Sequence, residues 1–253
     1  MRVEFLGTGT SQGVPVIACE CSVCQSADAR DQRLRCSVLI EYRGRVLVID
    51  TGPDFRTQML RARVRHLDAV LYTHRHKDHV AGLDDIRSFN FRQRQPMPLC
   101  GDADTLAAIR QEFAYIFSGE QYPGIPQVEL YPIDEQPFEL FDFEVIPIPV
   151  LHHRMPVLGF RIGNFAYVTD ANYIPPESMR RLEGVEVLVL NALRHEPHLS
   201  HFTLAEAQSI AQALRPRAAY FTHISHLLGL HETTEAHLQA NEFLAYDGLI
   251  VEI

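Results

Sequence analysis

The sequence has no tryptophan, a single lysine at Lys77, and no apolar run near the ~20 residues that a membrane-spanning helix needs. The missing run argues against a helical membrane protein. The amino-terminal MRVEFLGTGT also lacks the long apolar stretch of a secretory leader, which predicts a cytoplasmic protein with no membrane partner. No linker, low-complexity tract or short-period repeat interrupts the chain. The 253 residues therefore predict one domain over 1–253, with ample material for a buried core. Positive charge is scarce: the formal net charge is −9, and arginine supplies nearly all the cations. That balance disfavours nonspecific nucleic-acid binding, which neutralises phosphates with Lys and Arg.

Histidine is abundant instead. Thirteen in 253 residues is more than packing asks for. Three of the five cysteines, Cys19, Cys21 and Cys24, fall within six positions. An odd count without a leader argues against a disulfide framework and for metal binding or free thiols. Cys36 and Cys100 lie in strand-like runs and read as core residues.

Short β-rich runs occur in both halves, with helices between them. Val3–Leu6, Ser37–Tyr42, Arg45–Asp50 and Ala69–Thr73 read as strands in the first half, the middle pair as a hairpin around Arg43-Gly44. Asp54 reads as the N-cap of a helix to about Val64, and further helices are predicted over Ala81–Phe89 and Asp104–Phe117. In the second half Phe138–Leu140, Phe143–Val150, Val157–Ile162, Phe165–Thr169, Val185–Leu190, Ala218–Thr222 and Leu249–Ile253 read as strands, with a helix over Thr203–Leu214. Two β-rich halves with helices outside predict an α/β (α+β) protein, a four-layer αββα sandwich.

The run Thr73-His74-Arg75-His76-Lys77-Asp78-His79 follows an apolar strand. Four imidazole or carboxylate groups within six residues suit borderline metals such as zinc or manganese. In an extended turn His74 and His76 project the same way, while adjacent Asp78 and His79 diverge and can serve a second ion.

On this motif the chain resembles the metallo-β-lactamase superfamily along essentially its whole length. The resemblance implies the αββα sandwich and a dinuclear centre. His74, His76 and His152 would hold one ion; Asp78, His79 and His223 the other; Asp170 would bridge them. His153 competes with His152, which is preferred because it ends the alternation of Val145–Leu151. Asp50, in Asp50-Thr51-Gly52, resembles the superfamily's supporting carboxylate. A bridging Asp points away from β-lactam hydrolysis, toward the glyoxalase, lactonase and phosphodiesterase branches.

The cysteines at about 17–26 predict a structural zinc loop of Cys19, Cys21 and Cys24, with His226 the best candidate for the fourth ligand of a closed tetrahedron. Together with Gly7-Thr8-Gly9-Thr10-Ser11-Gln12-Gly13-Val14-Pro15 and Thr222-His223-Ile224-Ser225-His226, this cluster resembles the phosphoribosyl 1,2-cyclic phosphate phosphodiesterase family. That resemblance implies a small cyclic phosphodiester substrate, an attacking hydroxide supplied by two Mn²⁺ or Zn²⁺ ions, one structural Zn²⁺, and a homodimer. Catalytic roles are expected for Asp78 and for His201, whose His201-Phe202-Thr203 resembles the proton-donor element of related branches. His198 is the second choice for that acid. Arg87 and Asn90, just beyond Asp78, are expected to reach the substrate better than the arginines at 56, 61, 63 and 65. The alternatives are a tRNA 3′-processing nuclease, a thiolester or lactone hydrolase, and a non-catalytic metal-binding module.

Overall fold

Alternating apolar side chains build the centre of the molecule. In the computed structural model, which describes residues 1–119 and 122–253, two seven-stranded sheets face each other. The first sheet places β1 (Arg2–Gly7), β2 (Ser37–Tyr42), β3 (Arg45–Ile49), β4 (Ala69–Leu71), β5 (Met97–Gly101) and β6 (Val128–Pro132) side by side in chain order. The second does the same with β7 (Phe138–Leu140), β8 (Phe143–His152), β9 (Met155–Ile162), β10 (Phe165–Val168), β11 (Val187–Asn191), β12 (Ala218–Thr222) and β13 (Glu242–Leu244). The last strand, β14 (Ile250–Glu252), returns to pair antiparallel with β1. Each sheet begins with antiparallel hairpins and ends in parallel strands reached through crossovers.

The strands are apolar on both faces because both faces are covered. Val38, Ile40, Leu47, Ile49 and Leu71 point between the sheets, where they meet Val145, Phe160, Tyr167, Val187 and Val189. Their neighbours Leu39, Val48 and Val70 point outward and pack under α1 (Phe55–Arg61), α2 (Lys77–Val80), α3 (Arg87–Gln93) and α4 (Ala103–Glu112). On the other side Ala166, Val168, Leu188 and Leu190 pack under α5 (Pro176–Leu182) and α6 (Leu204–Leu214). A short α7 (His231–Glu235) precedes β13. The predicted αββα layering is the layering found.

Several boundaries differ from the sequence reading. The helix expected over Ala81–Phe89 is instead a 3₁₀ turn at Leu83–Ile86 followed by the start of α3, with α2 ending just before it. Helix α1 ends at Arg61, and Asp54 precedes it without capping it, because its carboxylate accepts from the Arg35 amide and guanidinium. The helix expected over Asp104–Phe117 stops at Glu112 and continues as a 3₁₀ turn. Thr203 does cap α6, in a reciprocal capping box with Glu206.

Candidate metal centre

Strands β3, β4, β8, β10 and β12 each deliver polar side chains to one crevice, the carboxyl-end position where open α/β sheets place ligands. Asp50 follows β3; His74 and His76 follow β4; His152 ends β8; Asp170 follows β10; His223 follows β12. Asp78 and His79 differ from the expectation of a strand-end loop, since they sit in the single-turn helix α2. Asp50, Asp170 and His223 hold positive φ angles of 65°, 52° and 56°, strained values for residues with a side chain. Such strain gathers at functional sites, where the surroundings over-determine it.

Asp170 occupies the middle. Its Oδ2 lies 3.5 Å from His74 Nε2 and 3.3 Å from His79 Nε2, and its Oδ1 lies 2.9 Å from His223 Nδ1. The ligand atoms form three overlapping groups, each within 4.8 Å: Asp78, His79, Asp170 and His223; His74, His76 and Asp170; His152, Asp170 and His201. His152 thus groups with Asp170 and His201, and its ring is also 5.1 Å from His76 and 5.8 Å from His74. His153 is exposed in the turn beyond it. The Nε2 atoms of His74 and His79 and the Nδ1 of His223 are buried without a hydrogen-bond partner among the described residues. Buried orphan nitrogens converging on carboxylates are costly unless something binds them. This donor set fits divalent ions of the zinc and manganese type.

The candidate ligands are held from behind. His79 donates from Nδ1 to Asp50 at 2.7 Å, and Asp50 also accepts from the Thr73 amide and hydroxyl, each at 2.8 Å. His152 donates from Nδ1 to the Ser200 carbonyl at 2.8 Å. The Thr169 hydroxyl donates to Asp170 Oδ1 at 2.9 Å, and Asn191 clamps the backbone of Ala171 through both its amide atoms. Such outer partners fix ring orientation and tautomer at metal sites. Asp50 was legible from the sequence; Thr73, Thr169, Asn191 and Ser200 were not. The signal for two of them was present, a threonine directly before a ligand.

The electrostatics reflect three buried carboxylates. Burial works against a charged His79, yet Asp78, Asp170 and Asp50 outweigh it and raise its pKa well above the usual range. His223 likewise rises to about 10, with Asp170 overcoming burial. His74 has less carboxylate support; burial and the neighbouring His79 push it down. His201 falls to about 3, first through burial and then through His223.

His201 stacks on His223 at 4.7 Å and lies tilted against His152 at 4.6 Å, with its Nδ1 buried and without a hydrogen-bond partner among the described residues. His198 lies 5.1 Å farther out, exposed. The two residues expected to reach the substrate do something else. Asn90 is a buried clamp on Gln95 and Gln127, and Arg87 pairs with Asp84 at 2.8 Å. Neither lines the crevice.

A second group lies beside the first. His226 Nδ1 is 3.3, 3.4 and 3.6 Å from the sulfurs of Cys19, Cys21 and Cys24. A tetrahedron with ~2.1–2.3 Å arms has ligand separations of this size. The Cys24 amide and His226 lower the Cys21 thiol to about 6, toward the thiolate that binds metal.

A family model described as a beta-lactamase superfamily domain matches residues 45–224. Among curated proteins, an octanoyltransferase of Porphyromonas gingivalis is 39% identical over 253 residues, covering 98% of this chain and 51% of that protein. The chain thus spans about half the length of that relative. Among solved structures, a diphosphatase from the PhnP family is 43% identical with a TM-score of 0.93, covering 100% of this chain and 97% of that one. Zinc-bound PqqB from Methylobacterium extorquens covers 100% of each chain at a TM-score of 0.80 and 20% identity, a likeness of fold alone.

Proposed function

The chain belongs to the β-lactamase superfamily, and we propose that it is a metal-dependent hydrolase acting as a phosphodiesterase on a small cyclic phosphodiester, such as a phosphoribosyl 1,2-cyclic phosphate. The observation that carries this reading is the convergence on Asp170 of two ligand groups with His201 at their edge. The likeness to the PhnP-family diphosphatase supports the phosphoester class.

His74, His76 and His152 would hold one ion, Asp78, His79 and His223 the other, and Asp170 would serve both. When bound, two such ions would acidify an attacking water and offset charge on the phosphoryl oxygens. Zn²⁺ or Mn²⁺ suits these ligands, and a third ion, Zn²⁺, suits Cys19, Cys21, Cys24 and His226. Asp78 and Asp170 keep their carboxylates ionised, because His79 and His223 hold both well below the usual range against burial.

His201 faces the leaving-group side. Its low pKa keeps the resting ring neutral, so the anionic phosphoryl group of the substrate must favour the imidazolium that hands a proton to the departing oxygen. A positioned acid of this kind contributes ~10²–10⁴-fold in rate. His201→Ala should therefore keep its metals and lose at least about a hundredfold in kcat on bis(p-nitrophenyl) phosphate. Full activity in that variant removes His201 from the mechanism. A thioester cleaved in preference to the diester would instead favour the thiolester or lactone reading, which needs no leaving-group acid. A cytoplasmic homodimer completes the proposal; a reducing compartment keeps the Cys loop available for zinc, and sedimentation gives the subunit count.

A further inference from the structure

Residues 192–203 join β11 to α6 without a strand or helix of their own, and they carry His201. A loop aims a side chain less precisely than a strand or helix does, so its anchors decide where that side chain sits. The base of this loop is closed by backbone: the Leu193 amide donates to the Phe202 carbonyl at 2.9 Å. The Phe202 amide donates in turn to the carbonyl of Ala171, the residue after Asp170, at 2.8 Å. On the other flank of His201, the Ser200 carbonyl accepts from His152.

Two further side chains complete the anchoring. Arg194 donates from Nε and Nη2 to the carbonyls of Glu196 and Pro197 at 3.2 and 2.9 Å, which folds the first half of the loop back on itself. The Arg194 carbonyl accepts from the Leu204 amide at 3.0 Å, at the start of α6. Ser225 holds the base of the loop. Its hydroxyl and its amide both donate to the Leu193 carbonyl, at 2.9 and 3.1 Å. Ser225 is buried and stands between His223 and His226, one candidate ligand from each metal group. The loop base is thereby tied to the segment that serves both groups. Neither Arg194 nor Ser225 lines the cleft beside the cluster, so each acts through another residue.

We infer that Arg194 and Ser225 are positioning residues for proton transfer by His201, keeping its ring against those of His152 and His223. The inference rests on the phosphodiesterase reading and adds two residues to its leaving-group side. As the P–O bond breaks, its electron pair stays on the departing oxygen, which takes the proton of the imidazolium and leaves the ring neutral. That transfer needs donor and oxygen within ~2.6–3.2 Å of each other. A displacement of ~1 Å costs about a hundredfold in rate. A loop released at its base or its tip has room for such a displacement, while the candidate metal ligands at the strand ends stay in place.

The test compares wild type, Arg194→Ala, Ser225→Ala and His201→Ala, all metal-loaded and checked for equal metal content by elemental analysis. Each is assayed on ribose 1,2-cyclic phosphate, which expels an alkoxide, and on bis(p-nitrophenyl) phosphate, which expels a far less basic phenolate. Arg194→Ala and Ser225→Ala should each lose about tenfold or more in kcat on the cyclic diester, with KM little changed, and several-fold less on the aryl diester. Damage to the fold or to the metal cluster would lower both substrates alike. Hydrogen exchange on the metal-free proteins should show faster exchange of the Leu193 and Phe202 amides in both variants. Equal losses on the two diesters, no loss on either, or unchanged exchange overturns the inference. If His201→Ala shows the leaving-group split and these two variants do not, the positioning role alone falls. A wild type that cleaves neither diester overturns the phosphodiesterase reading and the positioning role with it.

Discussion

Thr73, Thr169 and Thr222 are fully buried, and each stands directly before a cluster ligand at the end of a strand. A β-branched residue completes the strand, its hydroxyl satisfies a neighbouring polar group, and the next residue turns into the crevice. Thr73 holds Asp50, Thr169 holds Asp170, and Thr222 contacts the buried Cys36 thiol at 3.4 Å. The same scale sets the pH behaviour. His79 and His223 carry raised pKa values, so in the metal-free protein they hold protons that an incoming ion must displace. Zinc affinity should rise with pH between about 6 and 8, with net proton release on binding. Calorimetry in buffers of different ionisation enthalpy measures that release; zinc uptake without protons would contradict it. In the metal-free protein the sign reverses. A raised histidine stabilises the fold fully below its usual value of 6.5, and His223 loses that contribution as pH climbs through about 10. The clustered histidines and carboxylates were visible in the sequence because metal chemistry restricts residue type so sharply. Thr73 and Thr169 were not, since a threonine that holds a carboxylate looks the same in sequence as one that only completes a strand.

Among the elements, the contact between the Asp50-Thr51-Gly52 turn and α2 is the tightest constraint on the site. A Cβ on Gly52 would lie 2.2 Å from the Asp78 carbonyl oxygen, and one on Gly82 would lie 2.1 Å from the Gly52 carbonyl. Backbone sits on both sides, so neither clash can relax through a flexible side chain. Gly52→Ala should push α2 outward, cost about 1–3 kcal/mol and weaken metal binding through Asp78 and His79. A thermal melt and a zinc titration check this; an unchanged zinc affinity would separate the turn from the site. This close approach also explains why the helix expected over Ala81–Phe89 is broken, because the chain must pass Gly82 against the turn before α3 can begin. Strands β5 and β6 escaped the sequence reading for another reason. Met97–Gly101 contains Pro98, and Val128–Pro132 is a largely exposed edge strand, so neither shows a clean alternation. Helix α5 had a readable start in Pro175-Pro176-Glu177, with proline in its first turn.

At the scale of the whole molecule, the two sheets share one plan and the site lies where they meet. The first half contributes His74, His76, Asp78 and His79; the second contributes His152, Asp170 and His223. The cysteine group repeats this joining, with Cys19, Cys21 and Cys24 in the first half and His226 three residues past His223. Bound ions would thus fasten one sheet to the other, and each ion that binds only the folded chain adds stability by mass action. The αββα layering could be read from two β-rich halves with helices outside, whereas strand order and direction could not, because periodicity records burial and not neighbours. Metal titration of the metal-free protein, followed by elemental analysis and diester hydrolysis together, tests the central claim most directly. Three ions should bind per chain, with turnover appearing as the two at Asp170 fill; fewer than two ions per chain, or full hydrolysis by the metal-free protein, would contradict it.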